Sequence, residues 1–136
     1  MRKILFRGKS IITNEWTYGG IVHQTDFYGD IVDRYYIVDG SEVCNDIGYV
    51  EQVIPETVGQ YTGITDKNGT KIFEGDTIQV DEIEDQNFLV AWNNDDAGFE
   101  LVDDGVYLPL FGTISGQNIK VIGNIHDNPE LLEVSE

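Results

Sequence analysis

The tetrapeptide Asp66-Lys67-Asn68-Gly69 stands between two β-prone runs, residues 60–65 and 70–73. Asn and Gly both tolerate positive φ, so an Asn-Gly pair between such runs specifies a reversal between antiparallel strands. The same pattern continues downstream. Glu74-Gly75-Asp76 turns the chain again, and Ile78 and Val80 alternate with polar neighbours. Phe88, Val90 and Trp92 fall on one side of the next strand, with Leu89 and Ala91 on the other. Residues 93–98 form a polar turn, Phe99 and Leu101 alternate after it, and Asp103-Asp104-Gly105 ends that run. Residues 106–111 follow, with Pro109 restricting them to an edge or irregular strand. Ile119, Val121 and Ile125 alternate in the last strand, and no segment sustains a 3.6-residue period. Short strands punctuated by turns predict a small barrel or rolled sheet from about residue 60 onward.

The first 58 residues read as strands and turns of a separate β-rich lobe. Residues 3–7 form a short apolar segment closed by Gly8, and Trp16-Thr17-Tyr18 forms a strand that Gly19-Gly20 breaks. Residues 21–25 and 35–38 are further strands, and Asp39-Gly40 is a turn. Asn45-Asp46-Ile47-Gly48 leaves Cys44 in a connection, and residues 50–55 read equally as extended chain or a short helix. At the other end, Asn128-Pro129-Glu130 has the chemistry of a helix start, followed by the apolar Leu131, Leu132 and Val134. The expected class is mostly β, divided into an N-terminal lobe (1–58) and a C-terminal domain (59–136) that ends in a short helical turn.

Composition narrows the functional classes. With 136 residues, 40% hydrophobic and 11% aromatic, the chain carries enough apolar surface for a packed core. No apolar run reaches the roughly 20 residues that cross a bilayer. Arg7 interrupts the apolar residues after Met1-Arg2-Lys3 too early for a signal peptide, so the expected location is cytoplasmic. The net charge is −17, from 25 acidic and 8 basic residues. No Lys or Arg occurs between Lys71 and Lys120, while Glu74, Asp76, Asp81, Glu82, Glu84, Asp85, Asp95, Asp96, Glu100, Asp103 and Asp104 do. Affinity for nucleic acid comes largely from cations that replace counterions on phosphates, so direct binding to DNA, RNA or anionic membranes is not expected. The basic cluster Arg2, Lys3, Arg7 and Lys9 reads as an edge strand kept soluble by charge.

No catalytic or cofactor set emerges. Cys44 is the single cysteine, and nothing in sequence places His23 or His126 beside it as a base. The Asp66 run lacks the later ligands of a calcium loop: Ile72 and Thr77 occupy positions seven and twelve. Glu74 and Asp76 flank Gly75 as a pair of carboxylates, and Asp95 and Asp96 extend the Asn93-Asn94 turn. Together with the aromatic Tyr61 and Trp92 they make the candidate interaction surface; no catalytic residue, metal ligand or cofactor is assigned.

The longest patterns resemble a known family. Residues 60–69, Gln-Tyr-Thr-Gly-Ile-Thr-Asp-Lys-Asn-Gly, followed by Ile72-Phe73-Glu74-Gly75-Asp76, are similar to the hallmark of the YopX family of phage and prophage proteins. Residues 121–132 resemble its C-terminal signature, and Phe6-Arg7-Gly8 with residues 16–19 resembles its N-terminal pattern more loosely. The resemblance implies an SH3-type small barrel in the C-terminal half, carriage on temperate phages or prophages, work in the host bacterial cytoplasm, and no established activity. The leading expectation is a non-enzymatic module that binds a host or phage protein. The alternatives are an acidic mimic of DNA that occupies a host nucleic-acid-binding protein, and a divalent-metal hydrolase built on Glu74 and Asp76. Exposed strand edges and the uneven charge add the expectation of a homo-oligomer.

Overall fold

The computed structural model describes residues 4–39, 49–95, 97–103, 106–109 and 116–132, and these hold eleven strands, three 3-10 turns and no α-helix. Cys44, Gly40 and Asp96 lie outside the described residues. The chain divides into two compact units, Met1–Gln60 and Tyr61–Glu136.

The first unit contains β1 (Phe6–Lys9), β2 (Trp16–Phe27), β3 (Asp30–Asp39), β4 (Tyr49–Val53) and the start of β5 (Gly59–Thr65). They lie antiparallel in the order β4-β3-β2-β1-β5. Two glycine readings from sequence are corrected here. β2 runs unbroken through Gly19-Gly20, because Gly19 pairs with Phe6 and Gly20 with Val38. β1 likewise passes through Gly8. A Cβ on Gly8 would sit 3.0 Å from Val53, so the position is glycine because another strand's side chain fills the space.

That approach follows from how the sheet curls. Ser10 bridges to Val53, Ile11 N–H donates to Gln52 O, and Ile54 N–H donates to Lys9 O, so the far ends of β1 and β4 meet. The contact folds the sheet over the fully buried Ile37 and Val53 without making a closed barrel. Residues 50–55 take the extended form of the two that the sequence leaves open: β4 runs to Val53, Ile54 is extended, and a 3-10 turn begins only at Pro55 and ends at Thr57. Thr57 Oγ1 anchors that turn by accepting the Lys9 amide at 2.9 Å.

β1 is an interior strand, contrary to the edge reading of its basic residues. It pairs with β2 on one side and β5 on the other. Arg7 is buried, with its guanidinium 4.4 Å from the Trp16 ring centroid, and the Lys9 ammonium lies 5.5 Å from the same ring. The cations cover an aromatic face rather than protect an edge.

The second unit holds the rest of β5 paired with β6 (Lys71–Phe73), and a five-stranded antiparallel sheet. That sheet is built from β7 (Asp76–Val80), β8 (Ile83–Asn93), β9 (Gly98–Asp103), β10 (Val106–Pro109) and β11 (Ile119–Asn124), in the order β10-β9-β8-β7-β11. The expected barrel does not close: β10, which carries Pro109, and β11 are the outer strands. Alternation puts Ile78, Val80, Phe88, Val90, Phe99 and Leu101 on one face, where Ile72 and Ile119 complete the core. Fully burying each large side chain of this kind contributes about 1.5–3 kcal/mol. Trp92 continues the Phe88–Val90 face but lies at its rim, 43% exposed and edge-on to Phe99 at 5.1 Å.

The C-terminal helix start is a single 3-10 turn, Pro129–Leu132. Asn128 turns back to accept the Asn124 amide, while Leu131 O accepts a hydrogen bond from Asn87 Nδ2 at 2.7 Å. Gly123 sits beneath this turn at a register shift in β11. A Cβ there would lie 2.6 Å from Asn128 Oδ1 and 2.9 Å from Leu131 Cδ1.

Candidate interaction surface

The residues singled out in sequence separate into buried and exposed sets. Asp76 is 2% exposed, and its Oδ2 accepts the Phe73 amide at 2.7 Å, closing the Glu74-Gly75 turn. Gly75, at φ 95°, donates to Val90 O and accepts from Ile125 N–H, which stitches the turn to β8 and to the end of β11. Tyr61 is 8% exposed and packs against Phe73, with ring centroids 5.6 Å apart. Asp76 and Tyr61 are therefore structural, and their removal from the candidate surface is a correction. Sequence alternation places a carboxylate beside a turn but does not say that a backbone donor waits for it. Glu74 is half-buried, Asp95 is exposed in the turn capped by Asn93 Oδ1, and Trp92 is exposed at the rim.

A second internal carboxylate escaped the sequence reading. Asp66 is 2% exposed. Its Oδ1 accepts the amides of Asn68 (2.9 Å) and Thr70 (2.8 Å), and its Oδ2 accepts that of Val121 (2.9 Å). Burial pushes its pKa up, but the hydrogen bonds from Val121, Thr70 and Asn68 and the charge of Lys67 outweigh it and hold the carboxyl below its ordinary 3.8. The turn itself is a type I reversal closed by Gly69 N–H to Asp66 O, with Gly69 alone in the left-handed region at φ 83°. In sequence, an Asp opening a turn was the available signal for this role.

The acidic middle of the chain is also partly committed to local bonds. Asp81 pairs with Lys67 at 2.8 Å, Asp103 accepts from Gln86 at 2.6 Å, and Glu100 accepts from Asn93 at 2.8 Å. Among the described residues no cluster of three or more His, Cys, Asp or Glu side chains is arranged to hold a metal ion.

Among the described residues, an exposed apolar surface lies in the first unit, on the sheet of β2, β3 and β4. Cross-strand pairing sets Val22 beside Tyr36, and Val38 beside both Gly20 and Val50. Val22, His23, Gln24, Tyr36, Val38 and Val50 line a shallow groove of about 520 Å³. Val22 and Val50 are 48% and 51% exposed, and the Tyr36 hydroxyl donates to Gln24 Oε1 at 3.1 Å. On the other face of these strands, by alternation, His23 stacks on Tyr35 at 4.1 Å and meets Asp33 at 2.6 Å. The opposite side of the same strands buries Ile37 and Val53. The sequence places strands at 21–25 and 35–38 but does not give the register between them, and it is that register that sets Val22, Tyr36, Val38 and Val50 on one face.

A family model described as YopX protein matches residues 5–133. No curated protein matches the chain. Among solved structures, the crystal structure of protein EF1440 from Enterococcus faecalis is similar at 23% identity and a TM-score of 0.49, over 98% of this chain and 100% of that one. Among the described residues, no helix is long and apolar enough to cross a membrane.

Proposed function

Starting from the YopX family, to which this chain belongs, we propose that it is a non-enzymatic protein-binding module of a phage or prophage, acting on a host or phage protein in the bacterial cytoplasm. The observation that carries this reading is the apolar groove on the β2–β3–β4 sheet. A sheet face that leaves Val22 and Val50 about half exposed beside Tyr36 and Val38 is a surface that gains by being covered. The hallmark residues support the same conclusion from the other side. Asp66, Asp76, Gly75 and Gly123 are absorbed into turns and strand contacts, so these motif residues serve the fold and leave binding to other, exposed residues. The SH3-type likeness of residues 59–136 belongs to this proposal, supported by short antiparallel strands joined by tight turns.

The test is affinity capture from bacterial cells during infection or lysogeny, with the wild-type chain and a Val22→Lys/Val50→Lys variant. A protein retained by the wild type and lost by the variant is the expected result. Capture of no specific protein, or turnover of a common substrate by the pure protein that a single carboxylate substitution abolishes, ends the reading, and capture indifferent to the Val22→Lys/Val50→Lys change overturns the groove as its surface.

A further inference from the structure

The β2–β3 hairpin reaches beyond the strands that support it. β1 pairs with β2 only over Trp16 to Gly19, and β4 pairs with β3 only from Tyr35 to Asp39. Among the described residues, the stretch from Gln24 to Arg34 is thus a two-stranded arm, and such an arm gains little stability in water by itself. Its tip carries Phe27 at 42%, Tyr28 at 92% and Ile31 at 95% exposure. The Phe27 and Tyr28 rings meet edge-to-face at 4.6 Å, and the Arg34 guanidinium lies 5.2 Å from the Phe27 centroid. The two rings thus make one contiguous aromatic patch at the tip.

The turn chemistry is the second observation. Tyr28 and Gly29 form a two-residue loop with φ 51° and 87°, the left-handed pair of a type I′ turn. Asn or Gly suits the first of these positions, whereas a bulky tyrosine is strained there. The strain is held by a side chain that is 92% exposed and packs on the equally outlying Phe27 rather than on the core, and such outliers motivate a functional reading.

The surrounding charge selects the occupant. Asp26, Asp30 and Asp33 are all exposed along the arm, against the one guanidinium of Arg34. These carboxylates disfavour an anionic lipid surface, and they disfavour a second copy of the tip, which would bring like charges together in a chain of net charge −17. They suit a protein slot with a basic rim. Resting on the binding-module reading, we propose that the hairpin tip is the insertion element: Phe27, Tyr28 and Ile31 enter an apolar slot on a partner protein whose rim carries lysine and arginine.

The experiment places a photo-crosslinking phenylalanine at position 28 or at position 22 of the full chain in prophage-bearing bacterial cells. The protein crosslinked through position 28 is then purified and titrated against the unmodified chain, Tyr28→Asn, Ile31→Thr and Asp30→Asn. Tyr28→Asn creates the favoured Asn-Gly turn, so its urea midpoint should stay level or rise while its affinity falls about tenfold or more. Ile31→Thr should weaken binding similarly, and Asp30→Asn should slow association and flatten the salt dependence. An adduct from position 22 but none from position 28 overturns the tip and leaves the groove reading standing; adducts from neither position overturn both. Tip-dependent sedimentation with anionic vesicles, a tip-dependent dimer, or a crosslinked partner surface without basic residues each overturns the proposal.

Discussion

The Asp66 carboxylate accepts the backbone N–H of Val121, 55 positions further along the chain, at 2.9 Å. One side chain thus shapes its own turn through Asn68 and Thr70 and ties that turn to β11, which the Lys67 amide reinforces by donating to Ile119 O. Asp66→Ala removes the acceptor for all three amides. The Val121 donor, which is not in open water, is the costliest to strand, and the expected loss is about 2–4 kcal/mol, read as a lower urea midpoint. Asp66→Asn, which keeps one acceptor oxygen, should fall between alanine and wild type.

The same carboxylate sets a pH dependence. Its folded pKa lies below the ordinary 3.8, so the ionised form is favoured by folding. The associated stability is fully present above 3.8 and is lost as pH falls through the lower folded value. Urea midpoints measured from pH 6 down to about 2 should therefore converge for wild type and Asp66→Asn at the acid end. Comparing the two chains is essential, because protonating the other carboxylates also relieves self-repulsion in a protein of net charge −17. A constant gap between the two curves across the range would overturn this account.

Gly123 and Gly20 predict opposite results for one substitution. A Cβ at Gly123 meets Asn128 Oδ1 and Leu131 Cδ1 inside 3 Å, so Gly123→Ala should push the 3-10 turn off the sheet and cost about 1–3 kcal/mol. A Cβ at Gly20 meets nothing within 4 Å, so Gly20→Ala should be neutral or stabilise by up to about 1 kcal/mol. Thermal unfolding of the two variants side by side checks both.

Thr77 is fully buried, and its hydroxyl has no hydrogen-bond partner among the described residues. An isosteric apolar side chain avoids that desolvation. Thr77→Val is expected to raise stability by about 1 kcal/mol, visible as a higher urea midpoint with an unchanged slope.

The turns show how local chemistry can be legible and still misassigned. Asn68-Gly69 carried the strongest hairpin signal, and a hairpin forms there, yet only Gly69 is left-handed. The two-residue type I′ turn belongs to Tyr28-Gly29, whose tyrosine gave no such signal. Propensity ranks what a backbone prefers, and a long hairpin can impose what it does not. The candidate surface suffered most from this limit. Of its six residues, Tyr61 and Asp76 are interior, and the apolar groove and the hairpin tip were absent from it.

What the sequence alone determined was whatever depends on neighbours a few residues apart. That includes the antiparallel class, the alternation that buries Phe88 and Val90, the reversals at residues 66–69 and 74–76, the outer position of the strand with Pro109, and the YopX pattern. Side-chain alternation and turn preferences are short-range, so they are written in short windows. Tertiary structure decided which carboxylates enter the interior, that β1 is flanked on both sides, that β2 crosses two glycines, and that the sheet stays open. The first three depend on a group delivered from elsewhere in the chain: Val121 N–H to Asp66, Gly59 and Gln60 to β1, Val38 to Gly20. A buried charge is stable only where such donors converge, and that convergence exists only once the strands have found their register.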